Sequence, residues 1–446
     1  MKKVILGVLI VIVIGFVSAP FVNGLIVEKT VYSQLDNINA RYADHPFVPK
    51  IAITRYDRGF SSSEIEWTMA LPDLQGVEDI PPLVFVEKVK HGYLGASSTT
   101  SLEGNSWYRD FVSNELDGKD PLTISSEYQL LSGGTATISV EPFELVDSKN
   151  THLSIRPGKL LFKFDRHLEH IEMDGTFEGL IVADAVEVKN ISLHSDLQQT
   201  TSLFMAGISS YGVEQIAVNG PDQAAAMVLA NLKGRSTIGF DETTRNMSVK
   251  SELSVAQIMT DDEKIADLRL DMGVNHLDAD AFENFYRVYA EVLSDAMANL
   301  ATVQGDPEQR KAMMQQQMAF AGMRLAGEFE KLLKKDLQIT IDKLHVTLPQ
   351  GDIDGDFALG LKKDLSMVDF IALGQQPQMI VDLFSFASNL SLPDGLIANQ
   401  SPLLVPVISG MQGGFFEQKG DKLVHKAEIR DGKLLLNDKE LVLSRQ

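Results

Sequence analysis

The sequence predicts an α+β fold: one N-terminal transmembrane helix followed by an elongated, mainly antiparallel β-sheet domain with helices packed on one face. Three observations carry this expectation. An uncharged apolar run opens the chain, period-two alternation of apolar and polar residues dominates most of the remaining length, and a few segments of helical periodicity interrupt it.

Residues 4–22 read VILGVLIVIVIGFVSAPFV. At about 1.5 Å of rise per residue this run is long enough to cross a hydrocarbon layer of about 30 Å. Lys2 and Lys3 precede it and an acidic stretch of chain comes after it, which by the positive-inside rule puts the N-terminus in the cytoplasm of a bacterium and the bulk in the periplasm. The expectation is therefore a single-pass inner-membrane protein whose bilayer contact is residues 4–22, with residues 1–24 as signal anchor. A cleaved signal peptide is the alternative, since Val17-Ser18-Ala19 supplies small residues; Pro20 after the cut and the length of the run favour the anchor.

After the run, Val31, Leu35, Ile38 and Tyr42 recur at helical spacing, so residues 25–45 read as an amphipathic stalk that His45-Pro46 ends. From there to residue 277 the chain is β-rich. In EIEWTMAL, Ile65, Trp67, Met69 and Leu71 alternate with Glu64, Glu66, Thr68 and Ala70, as in a strand buried on one side. The alternation returns through Ile171, Met173 and Phe177, through Leu344, Val346 and Leu348, and through Ile353, Phe357, Leu359 and Leu361. Gly133-Gly134, Asp174-Gly175 and Asp431-Gly432 supply turn chemistry for hairpins or bulges.

Helices are expected in three places. Pro221-Asp222 opens a short one, QAAAMVLANLK, closed by Gly234. Residues 278–336 read as a helical hairpin, with an aromatic stripe through Phe282, Phe285, Tyr286 and Tyr289, a break at Gly305-Asp306-Pro307-Glu308, and a second half rich in Met313, Met314, Met318 and Met323. Residues 337–446 form a C-terminal α+β region with a helical stretch around 377–390, an apolar run at 402–411 and a closing hairpin.

Composition narrows the chemistry. None of the 446 residues is cysteine, which removes disulfides, thiolate nucleophiles and cysteine metal sites together. A formal charge of −21 argues against nucleic acid or anionic headgroups as partners bound through charge.

Tyr56-Asp57-Arg58-Gly59-Phe60-Ser61-Ser62, Val89-Lys90-His91-Gly92, the aromatic helix from Phe282 to Tyr289, and Asp431-Gly432-Lys433-Leu434 with Leu436-Asn437 occur in that order. Together they resemble the YdgA-like family of bacterial envelope proteins. Two departures are Tyr93, where the family places Pro, and Asp438, where it places Gly. The resemblance implies an inner-membrane protein of unknown function facing the periplasm, with no established catalytic residues.

Motifs that carry chemistry are few. Arg58-Gly59-Phe60-Ser61-Ser62-Ser63 reads as a strand bulge in which Gly59 supplies an unusual backbone angle and Arg58 meets a carboxylate. His167 and His170 lie three apart, a metal spacing only on a helix, and their neighbours read as strands. Asp352, Asp354 and Asp356 fit the solvent face of a strand better than a calcium loop, because the glycine and the closing glutamate are misplaced. Asp261-Asp262-Glu263 is a charged turn, and His91 is the histidine to watch. No catalytic, cofactor-binding or metal-binding residue is assigned, and a non-enzymatic role is expected. The leading expectation is a scaffold or assembly factor of the envelope acting through its surface, as a homo-oligomer or with an envelope-protein partner. The alternative is lipid or lipoprotein handling in an apolar groove of the curved sheet, on an AsmA-like layout.

Overall fold

The computed structural model describes residues 2–41, 49–70, 82–146, 152–183, 185–219, 225–260, 264–302, 321–399 and 414–441. Strands dominate these residues, so the fold is mostly a large antiparallel β-sheet, which corrects the expected α+β class with its N-terminal transmembrane helix. Two compact units divide it: Met1–Ala183 with Ser192–Leu203 and Ala290–Gln304, and Asp184–Ile191 with Phe204–Tyr289 and Gly305–Gln446.

In the first unit, helix α1 (Lys2–Arg41) precedes β1 (Lys50–Arg58), β2 (Ser62–Ala70), β3 (Leu83–His91), β4 (Gly95–Ser101), α2 (Ser106–Glu115), β5 (Leu122–Gln129) and β6 (Gly133–Val140). Strands β1 to β6 form an antiparallel meander, each paired with the next. β7 (Phe143–Val146), β8 (His152–Ile155), β9 (Gly158–Phe164) and β10 (His170–Val182) extend it, with β9 pairing β6 and β10. Pro142 separates β6 from β7, and Pro157 separates β8 from β9, at neighbouring positions in the sheet. Proline offers no N–H to a ladder, and Gly179 on β10, with a φ of 129°, lies where the pairing shifts from β9 to β8. The core under α2 is Phe85, Leu102 and Tyr108, with Trp67 stacked on Phe85 at 4.0 Å between ring centroids. β11 (Val186–Gln199) comes next in the chain and contributes residues to each unit.

The second unit holds β12 (Met205–Asn219), β13 (Ala225–Asp241), β14 (Asn246–Thr260), β15 (Lys264–Asp278), β16 (Gln338–Leu348), β17 (Gly351–Leu361) and β18 (Phe384–Pro393), again paired in sequence order. The short β19 (Glu417–Lys419) and β18 both pair β20 (Lys422–Arg430). β20 turns into β21 (Lys433–Leu436) through Asp431 and Gly432, both at positive φ, as a tight hairpin turn requires. One face carries apolar rungs such as Leu253, Leu270 and Leu344, and the other carries Arg235, Glu252, Asp271 and Lys343. Helix α3 (Ala279–Thr302) and a helix over residues 321–332, α4, start and end at the buried cluster of Met247, Leu277, Ala279, Leu332 and Leu333.

Several expectations are corrected. Among the described residues no helix is long and apolar enough to cross a membrane, so the transmembrane helix over residues 4–22 is not supported. α1 runs on to Arg41 through Glu28, Lys29 and Asp36, and Phe21, inside the expected span, packs on Phe60 of the first unit. AMVLANLK is strand, not helix: β13 gains ladders on both edges, and that pairing overrides the helical preference of alanine and leucine. Asp174-Gly175 lies inside β10 rather than in a turn, where a β-carbon on Gly175 would meet Leu160 Cδ1 at 2.8 Å. The expected helix at 377–390 stops at Leu383 and continues as β18. The break at 305–308, the run at 402–411, Tyr42, His45, Pro46, Leu71, Asp261-Asp262-Glu263, Met313, Met314 and Met318 lie outside the described residues.

Candidate functional site

Antiparallel pairing of β1 to β4 brings the β1–β2 turn and the β3–β4 turn to the same end of the sheet, where His91 N–H donates to Ser61 O at 2.8 Å. The two motif segments Tyr56–Ser62 and Val89–Gly92, distant in the sequence, are thereby one structure, and α1 lies on it. Asn23, which is 2% exposed, donates through Nδ2 to Gly92 O at 2.9 Å and to Gly95 O.

Alternation along β3 turns Phe85, Glu87, Val89 and His91 to the α1 side. His91 is buried, and its Nε2 lies 2.9 Å from Ser63 Oγ. α1 passes directly over the imidazole at Gly24, where a β-carbon would stand 2.4 Å from both Cε1 and Nδ1. Only glycine permits so close an approach. Burial holds the His91 pKa below its usual value; the Phe60 carbonyl opposes this and the Arg58 charge adds to it. The imidazole is therefore neutral at pH 7.

Arg58 reaches back to α1, pairs with Glu28, and lies 5.5 Å from the Phe21 ring centroid. Phe21 stacks on Phe60, and Tyr32 meets Tyr56 at 5.9 Å. Burial pushes the Tyr56 phenol up, with Ser63 pulling the other way and Glu28 and Glu87 adding to the rise. Further along, Asn39 Nδ2 donates to Ile51 O at 2.8 Å. α1 is thus fastened at Asn23 and again at Asn39, about 24 Å apart along a helix.

Between these fastenings lies a cavity of about 320 Å³. Val27, Val31, Leu35 and Ile38 form its helical wall, and Ile65, Val89, Ala96, Tyr128 and Phe164 its sheet wall. Its volume is at the lower end of the range of small-molecule sites, and its apolar walls with few polar groups match their usual composition. Glu87, Glu127, Asp165 and Arg166 are the charged residues that line it. On the outward face of the same strands, Lys88, Lys90, Ser97, Thr99, Ser125 and Thr137 line a separate polar groove of about 840 Å³.

Sequence reasoning singled out Tyr56, Arg58, Phe60 and His91, and the structure brings these four together around α1. Gly59 is a turn residue rather than the centre of a bulge and takes no positive φ; Arg58 does meet a carboxylate. His167 falls in the β9–β10 turn, while His170 opens β10 and lies 2.7 Å from Asp196, so the pair forms no joint site. Asp352, Asp354 and Asp356 sit on the exposed face of β17, bonded to Thr347, His345 and Asn389. Met323 is 65% exposed on α4. Asn23, Gly24, Glu28 and Glu87 were missed. The signal for the last was available: a glutamate in the inward register of LVFVEKVKH, between Phe85 and Val89.

A family model described as a bacterial protein of unknown function (DUF945) matches residues 1–400. No curated protein and no solved structure matches the chain.

Proposed function

We propose, for a chain that belongs to this bacterial family of unknown function, that it binds an apolar, acyl-type ligand between α1 and the sheet of its first unit. The observation that carries this reading is the cavity of about 320 Å³ under a helix fastened on both sides of it. Held at both ends, the helix leaves between itself and the sheet a concave, mostly apolar space open to solvent, the form that small-molecule sites take. Release would need only the latch at Asn23, Arg58 and His91 to open, which makes the motif residues the gate and not the chemistry. Lipid handling thereby moves ahead of the scaffold reading.

A neutral solvatochromic dye, Nile red, tests it. Saturable, blue-shifted emission at one dye per chain is expected, with affinity at least tenfold weaker in Val31→Phe, whose ring occupies part of the cavity. Non-saturable emission, or emission indifferent to that substitution, would remove the reading.

A scaffold that joins copies of itself or an envelope protein is the second reading. It is favoured by β1, which among the described pairings is laddered only to β2 and offers an outer edge. Both readings suit export to the bacterial envelope, where a cysteine-free chain with an acidic surface would serve, and a YdgA-like place within the family.

A further inference from the structure

The ligand class rests on one residue, if the cavity is a binding site as proposed above. Glu87 occupies the inward row of β3, flanked on that row by Phe85 and Val89, which are 7% and 4% exposed, and paired across the sheet with Ile65 and Thr100. It is half-buried, it lines the cavity, and among the described residues its carboxylate has neither a hydrogen bond nor an ion pair. Charges close to it in the sheet pair elsewhere: Glu64 with Arg55, and Lys88 with Glu103 at 3.4 Å. A half-buried carboxylate whose side chain has no partner, set between apolar neighbours, suits a cationic group. The basic residue of the lining is Arg166, and among the described residues no ion pair joins it to Glu87. α1 contributes Thr30 and Gln34 to the cavity, and the β9–β10 turn contributes Asp165 beside Arg166, so the charges lining the inward side sum to an acidic wall.

We infer that the cavity takes a single-chain amphiphile bearing an ammonium group, its apolar chain along Val31, Leu35 and Phe164 and its ammonium at Glu87. The volume of about 320 Å³ suits one chain better than two. An anionic head would meet Glu87 and Asp165 against the one guanidinium of Arg166, which disfavours fatty acids and acidic phospholipids.

A chain-matched series on the full protein tests the class: dodecylamine, dodecanol and dodecanoate as competitors of Nile red. The expected order of affinity is amine, alcohol, carboxylate, with at least a tenfold step from amine to alcohol. Glu87→Gln, nearly isosteric, should bring the amine down to the level of the alcohol and leave the alcohol unchanged. Equal affinity of amine and alcohol, or an amine preference that survives in Glu87→Gln, would overturn the ammonium assignment while leaving the apolar site intact. Failure of all three to compete would overturn both. Lyso-phosphatidylethanolamine against lyso-phosphatidylglycerol then separates a lipid headgroup from a free amine: preference for the ethanolamine lipid places the ammonium in a headgroup, and binding of dodecylamine alone restricts the class to free amines.

Discussion

Gly24→Ala is the perturbation that most sharply separates a docked α1 from a helix that merely lies nearby. In an isolated helix the change is favourable by about 1 kcal/mol, because alanine loses less backbone freedom than glycine. Docked, the new β-carbon would stand 2.4 Å from His91 Cε1 and Nδ1, more than 1 Å inside ordinary contact. His91 cannot swing away freely, because Ser63 holds its Nε2 and the ring is buried. Overpacking of this kind costs about 1–3 kcal/mol, so the net effect on the docked state is a loss of roughly 0–2 kcal/mol where propensity alone predicts a gain. Hydrogen exchange of the amides from Asn23 to Ile38 reads it directly, each 1.4 kcal/mol being a tenfold loss of protection. In the His91→Ala background the ring is gone, and Gly24→Ala should revert to stabilising. A stabilised single variant with unchanged protection, or the same sign in both backgrounds, would refute the docking geometry.

Arg58→Met removes both the pair with Glu28 and the approach to Phe21, and should cost about 1 kcal/mol in urea unfolding at low salt and less at high salt. Because burial holds His91 below its usual value near 6.5, the unfolded chain takes up a proton first as pH falls. Stability is then complete above about pH 6.5 and declines below it, by at most about 1.4 kcal/mol per pH unit; a wild-type minus His91→Gln difference that stays flat from pH 7 to 5 would contradict this. Tyr108 donates to Asp120 at 2.5 Å, and burial with that carboxylate drives its phenol far up. Tyr108→Phe should cost about 1–3 kcal/mol in thermal or urea unfolding, since Asp120 keeps only its bond to Leu122 N–H.

Much of the sheet was legible in the sequence, and the reasons are local. β17 alternates from Gly351 to Asp356 because one face there is exposed, and Asp431-Gly432 turns as such a pair must. β13 was read as a helix because alanine, leucine and methionine favour one when nothing else acts; its two ladders come from β12 and β14, invisible in a local window. Gly175 looked like a turn and proved to be room for Leu160. The latch was half legible. Its sheet residues carry the motif, but Gly24 means something only once His91, far along the chain, is known to lie against it. The apolar opening of the chain dominated the reading of α1 and hid the part of the helix that meets the sheet.

Native mass spectrometry of the full chain, with extraction and identification of whatever co-purifies, tests the central claim most directly. One single-chain amphiphile per protein, displaced in Val31→Phe, is the predicted result. A ligand-free protein, or bound lipid in variable number that Val31→Phe does not change, would contradict it.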